Sequence, residues 1–209
     1  GLAWGRTCYE FVNAYSQSLE KTEVSVVPLI GGSFQTAKYF QINEMVRLLA
    51  ERVGGSPSFI HAPALTSDPA ERDMYLNSFS LQAIRDLWRR MDIVVLGIGA
   101  TQHEKDPDRE SYAGEYESSA NLAQSKVVGD ICARYFNFEG QFIKDGYFDR
   151  VVGAPVEELA SVRRSVFMAS GASKAEAVSG ALLTGMVKTL VLDEPTAKAV
   201  LEVIEARTA

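Results

Sequence analysis

The chain has 209 residues, of which 46 % are hydrophobic and 23 % charged, and its formal net charge is −6. That balance suits a globular core and excludes two roles. An acidic chain lacks the clustered Lys and Arg that grip nucleic-acid phosphates, and it has no apolar run of about 18 residues to cross a bilayer as a helix. The two cysteines, Cys8 and Cys132, read as small buried apolar residues of a reducing compartment rather than a disulfide framework.

Taken in order, the chain alternates strand and helix patterns. It opens on Gly1-Leu-Ala without a basic, apolar leader, which reads like the tail of a strand. The natural protein is therefore expected to begin earlier, with this chain an excised domain of it. Residues 4–19 carry Cys8, Phe11, Val12, Tyr15 and Leu19 at helical spacing. Residues 23–30 are β-rich and stop at Gly31-Gly32. Residues 37–53 predict an amphipathic helix through Ile42, Met45, Val46, Leu49 and Val53, ended by Gly54-Gly55. A short strand is expected at 59–62, with His61 as a satisfied core or rim residue, and a helix at 80–91.

Residues 92–98 predict a central parallel strand, because Ile93-Val-Val-Leu is apolar on both faces. Residues 101–119 form a polar, acid-rich stretch whose length suggests function. Around 127–150 a small antiparallel insertion is expected, with a turn at 137–140. The remainder predicts strands at 151–152, 165–170 and 189–192, and helices at 156–162, 173–186 and 194–206. Strands separated by helices imply crossovers, so the expected fold is one α/β domain with a mostly parallel sheet covered on both faces.

Ligands of such sheets bind beyond the carboxyl ends of the strands. Four candidate loops follow. Ile30-Gly31-Gly32-Ser33-Phe34-Gln35-Thr36 combines close backbone approach at its glycines with the Ser33 and Thr36 hydroxyls at the start of a helix, although a capped Gly-Gly turn is common. In Gly171-Ala-Ser-Lys174, Ser173 can cap a helix. Lys174 there opposes the helix dipole unless an anion sits beside it; a solvated Lys is the alternative. Gly97-Ile-Gly99 follows the central strand. Asp130 can accept two sugar hydroxyls or simply hold a turn.

The sequence lacks the third glycine of a dinucleotide fingerprint, a P-loop, a metal-ligand spacing and a nucleophile elbow. Asp106-Pro-Asp108-Arg-Glu110 does not satisfy a calcium loop. No cofactor and no metal are expected.

The ordered series of motifs resembles the sugar-binding effector domain of SorC-type transcriptional regulators. It comprises Gly1-Leu-Ala-Trp-Gly-Arg-Thr7, Val27-Pro-Leu-Ile-Gly-Gly32 with Asn43 in the next helix, His61-Ala-Pro63, Asp92-Ile-Val-Val-Leu-Gly-Ile-Gly99, Val128-Gly-Asp-Ile131, Gly171-Ala-Ser-Lys174 and Leu192-Asp-Glu-Pro-Thr-Ala197. The resemblance covers nearly the whole chain. It implies a fold similar to glucosamine-6-phosphate deaminase and ribose-5-phosphate isomerase, and an upstream helix-turn-helix domain through which operator DNA is bound. It also implies a cytoplasmic homo-oligomer that responds to a sugar or sugar phosphate. Carried over by position, Gly31, Gly32, Ser33, Asp130 and Lys174 would take the effector, Lys174 on a phosphate, and the loop reading adds Phe34, Gly99 and Gly171 as effector candidates. Many members have a second glycine where this chain has Ser170, and Gln102, His103 and Arg109 are guesses about specificity. The expected role is allosteric sensing without catalysis. The alternative is a sugar-phosphate isomerase or deaminase with Asp130 as base.

Overall fold

The computed structural model describes residues 1–100, 126–144 and 146–208. Its spine is β3 (Ile93–Gly97), which pairs in parallel with β7 (Arg164–Ala169) from Ile93↔Arg164 to Gly97↔Met168. β7 in turn pairs in parallel with β8 (Thr189–Leu192). On its other edge β3 takes the chain's first residues: Ala3 N–H donates to Val95 O at 3.0 Å and Val95 N–H to Gly1 O at 2.8 Å. Leu2 also bridges Pro28, and β1 (Ser25–Val26), just upstream, pairs in parallel with β2 (Ser56–Pro57). The ladder therefore runs β2, β1, Leu2, β3, β7, β8. Val94, Val95 and Leu96 are consecutive buried residues, which requires cover on both faces of the strand.

The antiparallel insertion is present. β4 (Gly99–Ala100), β5 (Val127–Ile131) and β6 (Arg134–Asn137) form a three-stranded sheet in which Gly99 faces Asp130. The β5–β6 hairpin closes through Cys132 and Ala133, both at positive φ (49° and 59°), the geometry of a two-residue turn that usually selects Asn and Gly. Unlike most hairpin tips, this one is buried, with Cys132 5 % and Ala133 0 % exposed. The predicted 137–140 turn is also found, with Gly140 N–H donating to Asn137 O.

Helices follow their apolar faces. In α2 (Ile42–Val53), Ile42, Met45, Val46, Leu49 and Ala50 are buried, and Gly54 closes it in the left-handed conformation at φ 70°. In α4 (Phe79–Trp88), Leu81, Ile84 and Trp88 are buried, and Trp88 Nε1–H donates to Pro28 O at 2.8 Å. α5 (Val156–Ser161), α6 (Ala175–Leu183) and α7 (Glu194–Thr208) stand near their expected places. None of the described helices is long and apolar enough to cross a membrane.

Four expectations change. α1 (Arg6–Ala14) stops five residues short of Leu19, which is fully exposed. Arg52 intercepts it, donating to Tyr15 O at 2.6 Å while its own carbonyl accepts from Ser18 N–H. The helix expected from 37 begins at Ile42, after a separate 3-10 turn at Lys38–Phe40. The strand expected at 59–62 lies earlier, at Ser56–Pro57, because the Asn43 side chain occupies the backbone of Ile60. Asn43 donates to Ile60 O at 2.9 Å and accepts Ile60 N–H at 3.0 Å. Finally, α3 (Pro69–Leu76) has no apolar periodicity to announce it. Its signal is a cap: Asp68 accepts Glu71 N–H, Glu71 accepts Ser67 N–H, and Pro69 fills the first turn.

The Asn43 pin is the most direct test of how 59–62 is held. Asn43→Ala should cost about 1–3 kcal/mol of unfolding free energy, since it leaves buried backbone groups unpaired. A urea titration would show a lower midpoint at unchanged slope. A loss below about 0.5 kcal/mol, the range of surface changes, would show that the segment holds itself.

Candidate functional site

At the carboxyl end of the parallel strands the chain is forced into turns, and the candidate residues separate into two groups there. The first lies on the β1 side. Gly32, Ser33 and Phe34 line a cleft of about 830 Å³ together with Gln35, His61, Pro63, Thr66, Glu71, Tyr75, Tyr147 and Arg150. Gly31 is beneath it. Its N–H donates to Val152 O, and a Cβ here would come 2.3 Å from Pro63 O, so this position requires glycine to admit the Pro63 backbone. Gly32 is bridged to Pro63, with Gly32 N–H donating to Ala62 O. Ser33 Oγ accepts Gln35 N–H at 3.1 Å. No α-helix starts here, as α2 begins only at Ile42; the expected helix dipole is missing. Phe34 is 92 % exposed at the rim.

The second group stands at the end of β3. Lys174 is the N-cap of α6, and its Nζ donates to Ile98 O at 3.1 Å. The next residue, Gly99, faces Asp130 so closely that a Cβ would lie 1.8 Å from Asp130 Oδ1. Asp130 Oδ2 accepts Ala133 N–H at 3.1 Å, which holds the buried hairpin turn. The turn-holding role foreseen for Asp130 is thus real, and the same carboxylate borders Lys174's neighbourhood. Gly171, at φ 113°, is not open to an anion: its N–H meets Thr196 Oγ1 at 2.8 Å and Asp193 Oδ2 at 3.2 Å.

Electrostatically, this end of the sheet mixes one ammonium with a carboxylate and two apolar thiols. Burial pushes Cys8 up to about 12 from its ordinary 9.0, with Cys132 raising it further and Lys174 opposing. Burial likewise pushes Cys132 up to about 12, against Arg134. Arg134 is itself buried, donating to Cys132 O and Gly153 O with its guanidinium 5.8 Å from the Phe148 ring.

Sequence reasoning missed Glu71, Tyr75, Tyr147 and Arg150 as cleft residues. The Asp68-Pro69-Ala70-Glu71 cap could have placed the first two; Tyr147 and Arg150 carry no local signal. His61, expected within a strand, is exposed on the cleft with its ring 6.5 Å from Phe59. Gln102, His103, Arg109 and the acidic run at 106–110 lie outside the described residues. Among the described residues no group of three or more His, Cys, Asp or Glu side chains could hold a metal ion.

Comparison with known proteins gives a consistent result. Residues 1–202 match the Sugar-bind family model, described as "Putative sugar-binding domain". The deoxyribonucleoside regulator of Bacillus subtilis (strain 168) is 27 % identical over 199 residues, covering 95 % of this chain and 63 % of that protein. The sorbitol operon regulator of Klebsiella pneumoniae is 26 % identical over 203 residues, covering 97 % and 64 %. The crystal structure of the full-length sorbitol operon regulator SorC from Klebsiella pneumoniae superposes with a TM-score of 0.90 at 26 % identity, over 96 % of this chain and 65 % of that one. The chain thus spans a little under two thirds of each regulator.

The thiols give a check on the geometry. A buried thiol whose pKa is raised ionises first in the unfolded chain, so below pH 9, its ordinary value, it adds no pH dependence, and from there upward it favours unfolding. Both cysteines should therefore stay silent to Ellman's reagent at about pH 8 in the folded protein and react only in denaturant. Rapid labelling of either in the native state would contradict their placement.

Proposed function

The chain belongs to the Sugar-bind family, and from that membership we propose that it is the effector-sensing domain of a larger sugar-responsive transcriptional regulator, and that its effector carries a phosphate. The observation that carries the second part is Lys174. It caps α6 at the positive end of the helix dipole, where a cation is disfavoured, yet its ammonium is folded onto the carboxyl end of β3 beside Gly99 and Asp130. A charge-assisted bond to phosphate contributes roughly 1.5–3 kcal/mol, more than the dipole cost of under about 1 kcal/mol. Asp130, paired through Gly99 with the same corner, supplies an acceptor for the hydroxyls of the sugar.

In this reading operator DNA is contacted by a helix-turn-helix domain outside this acidic chain, within a cytoplasmic homo-oligomer. The effector favours one arrangement of the assembly by its differential affinity, and a typical coupling of about 1–3 kcal/mol changes operator affinity roughly 5- to 150-fold. Binding without turnover accords with relatives that are named as regulators. An isomerase or deaminase would instead need Asp130 as a base, and this carboxylate holds the Ala133 turn.

A thermal-shift screen of sugar phosphates against the corresponding free sugars tests the proposal. Ligand at about 100 times its Kd adds about 2.7 kcal/mol, so a phosphorylated sugar should raise Tm with concentration and Lys174→Met should remove most of that gain. Stabilisation by a free sugar and by none of its phosphates would overturn the phosphate assignment.

A further inference from the structure

The turn that presents Lys174 is held from outside its own strand and helix, by residues that have no part in the cleft. Asp193 and Thr196 lie at the start of α7. Thr196 is 0 % exposed, and Asp193 Oδ1 accepts both its N–H and its hydroxyl at 2.8 Å. Together the pair receives Gly171 N–H, on Thr196 Oγ1 at 2.8 Å and Asp193 Oδ2 at 3.2 Å. The Ser170 hydroxyl joins the same carboxylate. With the Thr196 and Gly171 bonds, it holds Asp193 well below the usual carboxylate range. Asp193 therefore keeps its charge throughout neutral and mildly acidic pH. On the far side of the turn, Lys174 N–H donates to Gly171 O at 2.9 Å, and Lys174 Nζ reaches Ile98 O. Hydrogen bonds thus run from α7 through Gly171 to the backbone N–H of Lys174, the point from which its side chain is launched.

A helix cap needs only the Thr196 N–H bond. The additional bonds to Ser170 and Gly171 fix the backbone of the Lys174 turn, whose pivot, Gly171, has a φ of 113° and would otherwise be the softest point in it. Lys carries a long, flexible stem, so the place of its charge depends on the backbone that launches it.

We propose that Asp193 and Thr196 are positioning residues for Lys174, setting where its ammonium stands and hence how tightly the domain holds a phosphate group. This rests on the reading that Lys174 receives phosphate. Ser170 is part of the same device, its hydroxyl adding a donor to Asp193.

The test titrates inorganic phosphate into the wild-type chain and into Lys174→Met, Thr196→Val and Thr196→Ser, by calorimetry, with each variant's folding checked by urea denaturation. Loss of a charge-assisted bond is worth roughly 10-fold or more in affinity. Lys174→Met should lose that much and Thr196→Val a similar amount, while Thr196→Ser, which keeps the hydroxyl, returns to within about twofold of wild type. Weakening by Lys174→Met with wild-type affinity in Thr196→Val would overturn the positioning role alone. So would failure of Thr196→Ser to restore binding. Absence of phosphate binding by the wild type, or full affinity in Lys174→Met, would overturn the phosphate reading and this inference with it.

Discussion

Everything at the carboxyl end of the sheet depends on β3 being hydrogen-bonded along both edges and buried on both faces. β7 takes one edge over five residues and the first residues of the chain take the other. A strand so constrained cannot shift by one residue without turning its whole apolar set around. The carbonyl just past its end and the glycine after it are consequently fixed points. Ile98 O receives Lys174, and Gly99 leads into the antiparallel sheet that carries Asp130. The ammonium and the carboxylate, 44 residues apart in sequence, are brought to one place by that single strand.

Several residues that invite a ligand reading are already employed by the fold. Gly31 makes room for the Pro63 carbonyl, Gly171 gives its N–H to α7, Ser33 closes its own turn, and Asp130 holds a buried hairpin tip whose residues lack the glycine such turns favour. A strained turn at 132–133 is tolerable because Asp130 and Arg134 brace it from either side. Dual employment makes the site rigid: a group that supports the backbone cannot drift when a ligand arrives, so less ordering is required on binding.

The sheet was legible because Ile93–Leu96, Val166–Ala169 and Leu190–Leu192 are continuous apolar stretches. Periodicity likewise found α2 and α4. It failed where a distant side chain decides the outcome. Arg52 ends α1 although Leu19 still fits the pattern, and Asn43 takes the backbone of Ile60 away from a ladder. α3 is written in its cap rather than its faces. Of the candidate site, the types and loops were readable from the rule that ligands gather at strand ends. The division into a cleft with Gly32–Phe34 and a charged corner with Gly99, Asp130 and Lys174 was not, because it follows from strand order. The Asp193–Thr196 support was hidden for the same reason: Gly171 and Thr196 are 25 residues apart and meet only once β7 and α7 are packed.

The charged corner and the cleft make different demands on a ligand, and the structure of the chain with a bound sugar phosphate separates them. Electron density for the phosphate within hydrogen-bond reach of Lys174 Nζ, beside Ile98 and Gly99, is the predicted result. A phosphate seated instead against Arg150 in the cleft, with Lys174 still on the Ile98 carbonyl, would contradict the account.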